Sequence, residues 1–171
     1  MTAAASRLVW GVKDSFLAYL ARTEGSRIGV SGGAGYEEGL GFTFPLVTDA
    51  DFDPGEGLGS LQFGGRVHFT GHFGMLDLLL ADPRVETGPT GAELLFTVQE
   101  EDDSPALAVA ALDWPTCGTA ADGVCTKGGI AAALTEGAVQ LFNGAYQPGE
   151  PLAPVLVEIH PSIHSRQRGH V

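Results

Sequence analysis

The chain has few basic residues and no long apolar run. Nine Lys and Arg stand against twenty-one Asp and Glu, which gives a formal net charge of −12. Nucleic-acid binding depends on Lys and Arg that neutralise phosphates, so this charge disfavours nucleic acid as a partner, and it disfavours anionic membranes for the same reason. No stretch approaches the roughly 18 consecutive apolar residues of a transmembrane helix, so no membrane insertion is expected.

The common signatures of enzymes are missing. The sequence contains no Gly-x-Ser-x-Gly elbow, no His-Glu-x-x-His helix and no Walker loop. Gly32–Gly35 follows a strand pattern without a helix pattern behind it, so it is predicted as a turn. Asp49, Asp51 and Asp53 alternate as in a calcium loop, but the glycine and the terminal glutamate fall at the wrong offsets. A solvated acidic loop over Thr48–Gly59 is therefore expected.

Only two cysteines occur, Cys117 and Cys125. A disulfide between them would close a short loop and contribute about 2.5 kcal/mol; two free thiols are the alternative. The N-terminus shows no basic segment followed by an apolar one, so no signal peptide is visible. Taken as complete, the chain is predicted to be cytoplasmic; taken as a processed form, it is an exported domain whose signal has been removed.

Composition and periodicity predict one mainly β domain. Apolar residues make up 44% of 171 residues, and 25 Gly with 10 Pro indicate many turns. Helical recurrence of apolar residues predicts one helix over 6–22, with Ser6 as N-cap and Gly25 beyond its end. The expected fold is α+β, an antiparallel β-sandwich or barrel-like sheet with this N-terminal helix, over residues 6–160 and followed by a polar tail, 161–171.

Strand patterns follow the helix with short connections. Ile130–Leu134 fits a strand or a helix. The predicted strands are Arg27–Val30, Leu40–Pro45, Leu61–Thr70, Gly91–Val98, Ala106–Asp113 and Leu152–Ile159.

Two pairs of residues stand out as candidates for chemistry. Ser15 and Tyr19 are four apart and share a helix face. A phenol has a reference pKa of about 10 and binds ferric iron near neutral pH only when the metal and a hydrogen-bond donor hold it as phenolate. His68 and His72 lie in a strand-like segment, about 13 Å apart if extended, which is too far to chelate one metal. The alternatives are a buried Tyr19 in the core and hydrogen-bonded or surface histidines.

An ordered set of motifs resembles the HtaA-type haem-binding domain of actinobacterial haem-uptake proteins. The resemblance covers most of the chain. Its motifs are Trp-Gly-Val-Lys-x-Ser-Phe-x-x-Tyr (Trp10 to Tyr19), Phe-x-Phe-Pro (Phe42 to Pro45), Leu-x-Phe-Gly-Gly-x-Val-x-Phe-x-Gly-His-x-Gly-x-Leu-Asp (Leu61 to Asp77), Asp82-Pro83-x-Val85, Leu134-Thr135-x-x-Gly137, Tyr146-x-x-Gly149 and Leu152-x-Pro154-Val155.

The resemblance implies a set of roles. Tyr19 corresponds to the axial ligand of ferric haem b, and His72 to the histidine that contacts the ligating phenolate. Ser15 corresponds to a serine near a haem propionate, and Tyr146 to a late tyrosine close to the pocket. Five phenylalanines near these motifs are candidates to wall the porphyrin, with core packing as the alternative for each: Phe16, Phe63, Phe69, Phe73 and Phe142.

Three functions are compatible with these residues. The preferred one is haem carriage, uptake or storage, with haem and another haem-carrier protein as partners. A cytoplasmic haem-dependent enzyme, peroxidase-like or biosynthetic, is the second, because tyrosinate ligation also occurs in catalase. The third is a β-sandwich interaction domain that has lost the cofactor. His160, His164 and His170 in the tail are expected to be solvated.

Overall fold

The structure, a computed structural model, describes residues 6–53, 56, 58–99, 105–114 and 129–159. An α-helix, α1 (Asp14–Arg22), follows the first strand, and 3-10 segments occupy His72–Gly74 and Glu136–Phe142. The strands are β1 (Arg7–Trp10), β2 (Arg27–Ser31), β3 (Gly35–Glu37), β4 (Gly41–Asp53), β5 (Leu58–Phe63), β6 (Arg66–Gly71), β7 (Leu76–Gly88), β8 (Gly91–Thr97), β9 (Leu107–Leu112), β10 (Ile130–Leu134) and β11 (Pro151–Glu158).

Eight strands form a closed antiparallel sheet. Their order is β7-β5-β4-β1-β11-β10-β9-β8, and β8 pairs back onto β7. Alternate side chains of these strands fill the interior, where the ring of Trp10 stacks on that of Phe96 at 5.5 Å. The predicted class is confirmed, and of the two predicted sheet forms the closed, barrel-like one is observed.

A short extension of the sheet supports the helix. β6 pairs with the first half of β7, β2 pairs with β6, and β3 pairs with β4. On α1, Phe16 packs edge-to-face against Phe69 of β6 at 5.4 Å and against Phe142 of the second 3-10 segment at 5.2 Å. These contacts fix α1 between β6 and the segment Glu136–Phe142.

Arg7 ties the first strand to two others. Its guanidinium lies 2.6 Å from Glu37 of β3 and 3.2 Å from Glu158 of β11. Partial burial lowers the pKa of Arg7, but the hydrogen bonds to Glu37 and Glu158 outweigh it, so the pKa lies above its usual value. These ion pairs therefore fix the position of β1, and with it the point from which the chain continues into α1.

The predicted helix over 6–22 is wrong in its first half. Residues Arg7–Trp10 form β1, hydrogen-bonded between β4 and β11, and the helix begins only at Asp14. Leu8 and Trp10 are buried two residues apart, which is the period of a strand, and Val12 has a φ of 62° that ends any helix there. Ser6 is thus no N-cap; Lys13 occupies that position.

The strand predictions were right in place but wrong in several bounds. The segment expected as an acidic loop is largely strand, because β4 continues to Asp53 and β5 begins at Leu58. The run Leu61–Thr70 is broken at Gly65, whose φ is 121° and where a Cβ would lie 2.7 Å from that of Ala34. β10 is a strand. β3 and β7 were not predicted.

Two predictions fall outside the described residues. Cys117 and Cys125 lie there, and so does the tail from 160 onward with its three histidines. Among the helices that the structure describes, none has the length and apolarity to cross a membrane.

Candidate functional site

Helix α1 presents Ser15 and Tyr19 on one exposed face. Phe16 and Leu20 on the neighbouring face are buried, since they anchor the helix on the core. Tyr19 keeps 41% of its surface exposed. Tyr19 is therefore not a core tyrosine, and its phenol is accessible to a ligand.

The turn after β6, His72–Gly74, has an unusual backbone. His72 and Phe73 have φ values of 50° and 56°, and Gly74 follows at 93°. The left-handed region disfavours residues with a Cβ, at a cost on the order of 1–3 kcal/mol each, and such strain is found mainly where function requires it. The two strained residues are consecutive, so the whole turn has a shape that a regular hairpin would not give.

This turn lies against the end of α1. A Cβ placed at Gly71 would lie 3.3 Å from Cγ2 of Thr23 and 3.5 Å from Cβ of Ser26. A side chain at this position would crowd Thr23, so glycine favours the close approach of the turn to the residues that follow α1. The approach brings His72 beside Tyr19.

Tyr19 and His72 form the first pair of the site. Oη of Tyr19 and Nε2 of His72 share a hydrogen bond, and the ring centroids are 5.7 Å apart at 47°. The ring nitrogen can accept a hydrogen bond from the phenol or donate one to its oxygen, according to the tautomer. A phenol in such contact with a proton acceptor is suited to become a phenolate ligand.

Ser15 and Tyr146 form the second pair. Oγ of Ser15 lies 3.5 Å from Oη of Tyr146, which belongs to the loop between the second 3-10 segment and β11. The Tyr146 ring packs on Phe142 at 5.5 Å, and Nζ of Lys13 lies 5.2 Å from its centroid. Two hydroxyls here can donate hydrogen bonds to one anionic oxygen.

The structure thus brings together the four residues to which the resemblance assigns a role, as two pairs joined by one turn of α1. His68 lies in neither pair: it hydrogen-bonds Asp77 on β7. Whether the four residues bind a ligand stays a prediction.

For most of the five candidate phenylalanines, the structure supports the alternative of core packing. Four of the five candidates are core residues, because their rings are almost fully buried. Phe73 alone is exposed, at 90%, and Met75 beside it is exposed at 82%. Met75 was missed, since an exposed methionine has no signature in the sequence. The buried candidates are Phe16, Phe63, Phe69 and Phe142.

Within the described part of the chain, no group of three or more His, Cys, Asp or Glu side chains is placed to hold a metal ion.

Comparison with known proteins places this geometry in a family. The HtaA family model (Htaa) matches residues 5–158. The C-terminal domain of HtaA from Corynebacterium glutamicum shares 25% identity at a TM-score of 0.71, over 90% of this chain and 94% of that one. The N-terminal domain of the same protein shares 23% identity at a TM-score of 0.73, over 93% of this chain and 99% of that one.

A third structure is the heme binding protein HtaB of that organism, with 22% identity and a TM-score of 0.62, over 90% of this chain and 93% of that one. A comparison with curated proteins gave no match. Because the family model covers nearly the whole described sheet, from before β1 to the end of β11, the chain belongs to the HtaA family.

Proposed function

We propose that the protein binds ferric haem b through the phenolate of Tyr19 and serves haem carriage, uptake or storage. The observation that carries the proposal is the exposed phenol of Tyr19 in a hydrogen bond with His72, in a chain of the HtaA family. A phenolate is a hard anionic ligand and suits ferric iron.

The hydrogen bond supplies a place for the phenol's proton. In the free protein, Oη of Tyr19 can donate to an unprotonated Nε2 of His72. When Oη gives up that proton to Nε2, the N–H so formed can donate a hydrogen bond to the phenolate oxygen. The pair holds one proton in either state, so ligation leaves no unpaired donor or acceptor between the two rings. Donors of this kind commonly change metal affinity 10- to 100-fold.

The surrounding side chains fit a porphyrin. Phe73 and Met75 are highly exposed next to His72 and offer apolar surface for the ring. Ser15 and Tyr146 place two hydroxyls one helical turn from Tyr19, where they can bind a carboxylate. When bound, haem would supply a ferric iron for the phenolate and carboxylates for these hydroxyls.

The proposal is tested with Tyr19→Phe, which removes only the hydroxyl. Hemin titration followed by absorbance should show affinity reduced on the order of 100-fold or more, with loss of the phenolate charge-transfer band. Tyr36→Phe is the matched control, because Tyr36 is likewise exposed, at 57%, but packs on Phe42 instead of on His72. Wild-type affinity and spectrum in Tyr19→Phe would remove Tyr19 from the site.

A further inference from the structure

We propose that Lys13 is a positioning residue that holds Tyr146 against Ser15, and through Tyr146 sets the retention of a carboxylate-bearing ligand. The proposal rests on the proposed function, because the ligand is haem. Lys13 is not one of the two hydroxyl-bearing residues, Ser15 and Tyr146. None of its described contacts is with Tyr19 or His72.

Lys13 makes three contacts with the loop between the second 3-10 segment and β11, or with the first residue of β11. Its Nζ donates a hydrogen bond to the carbonyl of Pro151 at 2.8 Å and lies 3.2 Å from Oε2 of Glu150. The same ammonium stands 5.2 Å from the centroid of the Tyr146 ring. The side chain of Lys13 is only 17% exposed. One cation therefore joins the start of α1 to both the end of this loop and the tyrosine within it.

The ring of Tyr146 depends on its own side-chain contacts, although the backbone of the loop is tied at both ends. Gly144 donates to the carbonyl of Val139, and Gly149 donates to that of Leu134, while Asn143, Gly144 and Gly149 turn the chain with positive φ values. The Tyr146 ring packs on Phe142 at one contact, and the ammonium of Lys13 provides another. A cation over an aromatic face is attracted by the ring's quadrupole, and more strongly where water is excluded.

The ion pair with Glu150 argues against direct binding of the ligand's carboxylate by Lys13. Glu150 already neutralises the ammonium at 3.2 Å, and the Pro151 carbonyl takes one of its three donors. Ser15 lies two residues further along the chain, in the first turn of α1, where its Oγ lies 3.5 Å from Oη of Tyr146. Lys13 thus sets the position of the second hydroxyl, and the two hydroxyls make the contact with the ligand.

The test is a cycle of variants. Lys13→Met and Lys13→Arg are made in wild type and in Tyr146→Phe, and hemin loss to excess apomyoglobin gives the off-rate. Lys13→Met should speed hemin release roughly three- to tenfold in the wild-type background. This range corresponds to the free energy of a cation–aromatic contact. Lys13→Arg should restore most of the retention, because Arg keeps both the cation and the ion pair.

The effect should vanish where Tyr146 has no hydroxyl. In Tyr146→Phe, Lys13→Met should leave the off-rate unchanged, and hemin dimethyl ester should be released from all six proteins of the cycle at similar rates. Arg22→Met removes a charge from the other end of α1 and controls for a general loss of attraction to an anionic ligand. An equal acceleration by Lys13→Met in the Tyr146→Phe background, or by Arg22→Met in wild type, would overturn the positioning role.

A measurement without haem separates this inference from the proposed function. The chain has three tyrosines, so ring signals in carbon-13 tyrosine spectra can be assigned with single Phe variants. Lys13→Met should shift the Tyr146 ring signals and leave those of Tyr36 in place, with circular dichroism confirming the fold. Unshifted Tyr146 signals contradict the inference. Failure of wild type to bind hemin contradicts the proposed function alone.

Discussion

At the scale of single residues, exposure distinguishes the site from the core. All nine phenylalanines lie in the described part of the chain, and every one except Phe73 is buried. The sequence could predict Tyr19 and His72 because the ordered motifs around them are specific. It could not predict which phenylalanines are accessible, since burial depends on how β6, α1 and the second 3-10 segment pack together.

His72→Ala should weaken hemin binding about 10- to 100-fold without abolishing it, because Tyr19 remains as ligand but loses the donor that stabilises its phenolate. The charge-transfer band should shift, and the hemin off-rate should rise. His68→Ala is the control, since His68 pairs with Asp77. If the off-rate and spectrum of His72→Ala match those of wild type, the hydrogen bond does not support the ligand.

At the scale of secondary structure, the same apolar residues fit two periods. Leu8 and Val12 are four apart, as in a helix, while Leu8 and Trp10 are two apart, as in a strand. Local pattern could not decide between them, because β1 is stabilised by its partners β4 and β11, which lie far away in the chain. The helix was predicted correctly only where it has a single buried face, from Asp14 onward.

The strained turn after β6 provides a test at this scale. Phe73→Asn should raise the stability of the haem-free protein by about 1 kcal/mol, because asparagine tolerates the left-handed backbone that phenylalanine at φ 56° does not. The same change should weaken hemin binding, since it removes the most exposed aromatic ring beside His72. Thermal unfolding of the apo protein and hemin titration measure the two effects. If Phe73→Asn is less stable than wild type, or if it binds hemin as well, the strained backbone at Phe73 is not maintained for ligand binding.

At the scale of the whole molecule, charge and redox state decide how haem would be released. The chain carries −12 at pH 7, which repels an anionic ligand at long range, so under the proposed function retention of haem would depend on short-range contacts at Tyr19 and Ser15. Ferrous haem lacks the positive charge that favours a phenolate. Reduction should therefore loosen the bond to Tyr19.

Dithionite-reduced protein should pass haem to apomyoglobin faster than the ferric protein does, as measured by the Soret band of the acceptor. A peroxide turnover assay is run in parallel on the ferric form. Equal transfer rates in both redox states together with sustained turnover would favour a haem-dependent enzyme over a carrier.

The position of β1 in the closed sheet also determines when the site can exist during synthesis. β1 pairs with β11, so the partner of residues 7–10 is made only with residues 151–158, the last strand among the described residues. Tyr19 and His72 both lie in the first half of the chain, whereas the Ser15–Tyr146 contact also needs the loop that precedes β11. Pairing at such sequence separation folds slowly. A nascent chain would therefore contain one pair of the candidate site long before the other, and a ligand that needs both pairs would bind only after the ring of strands has closed.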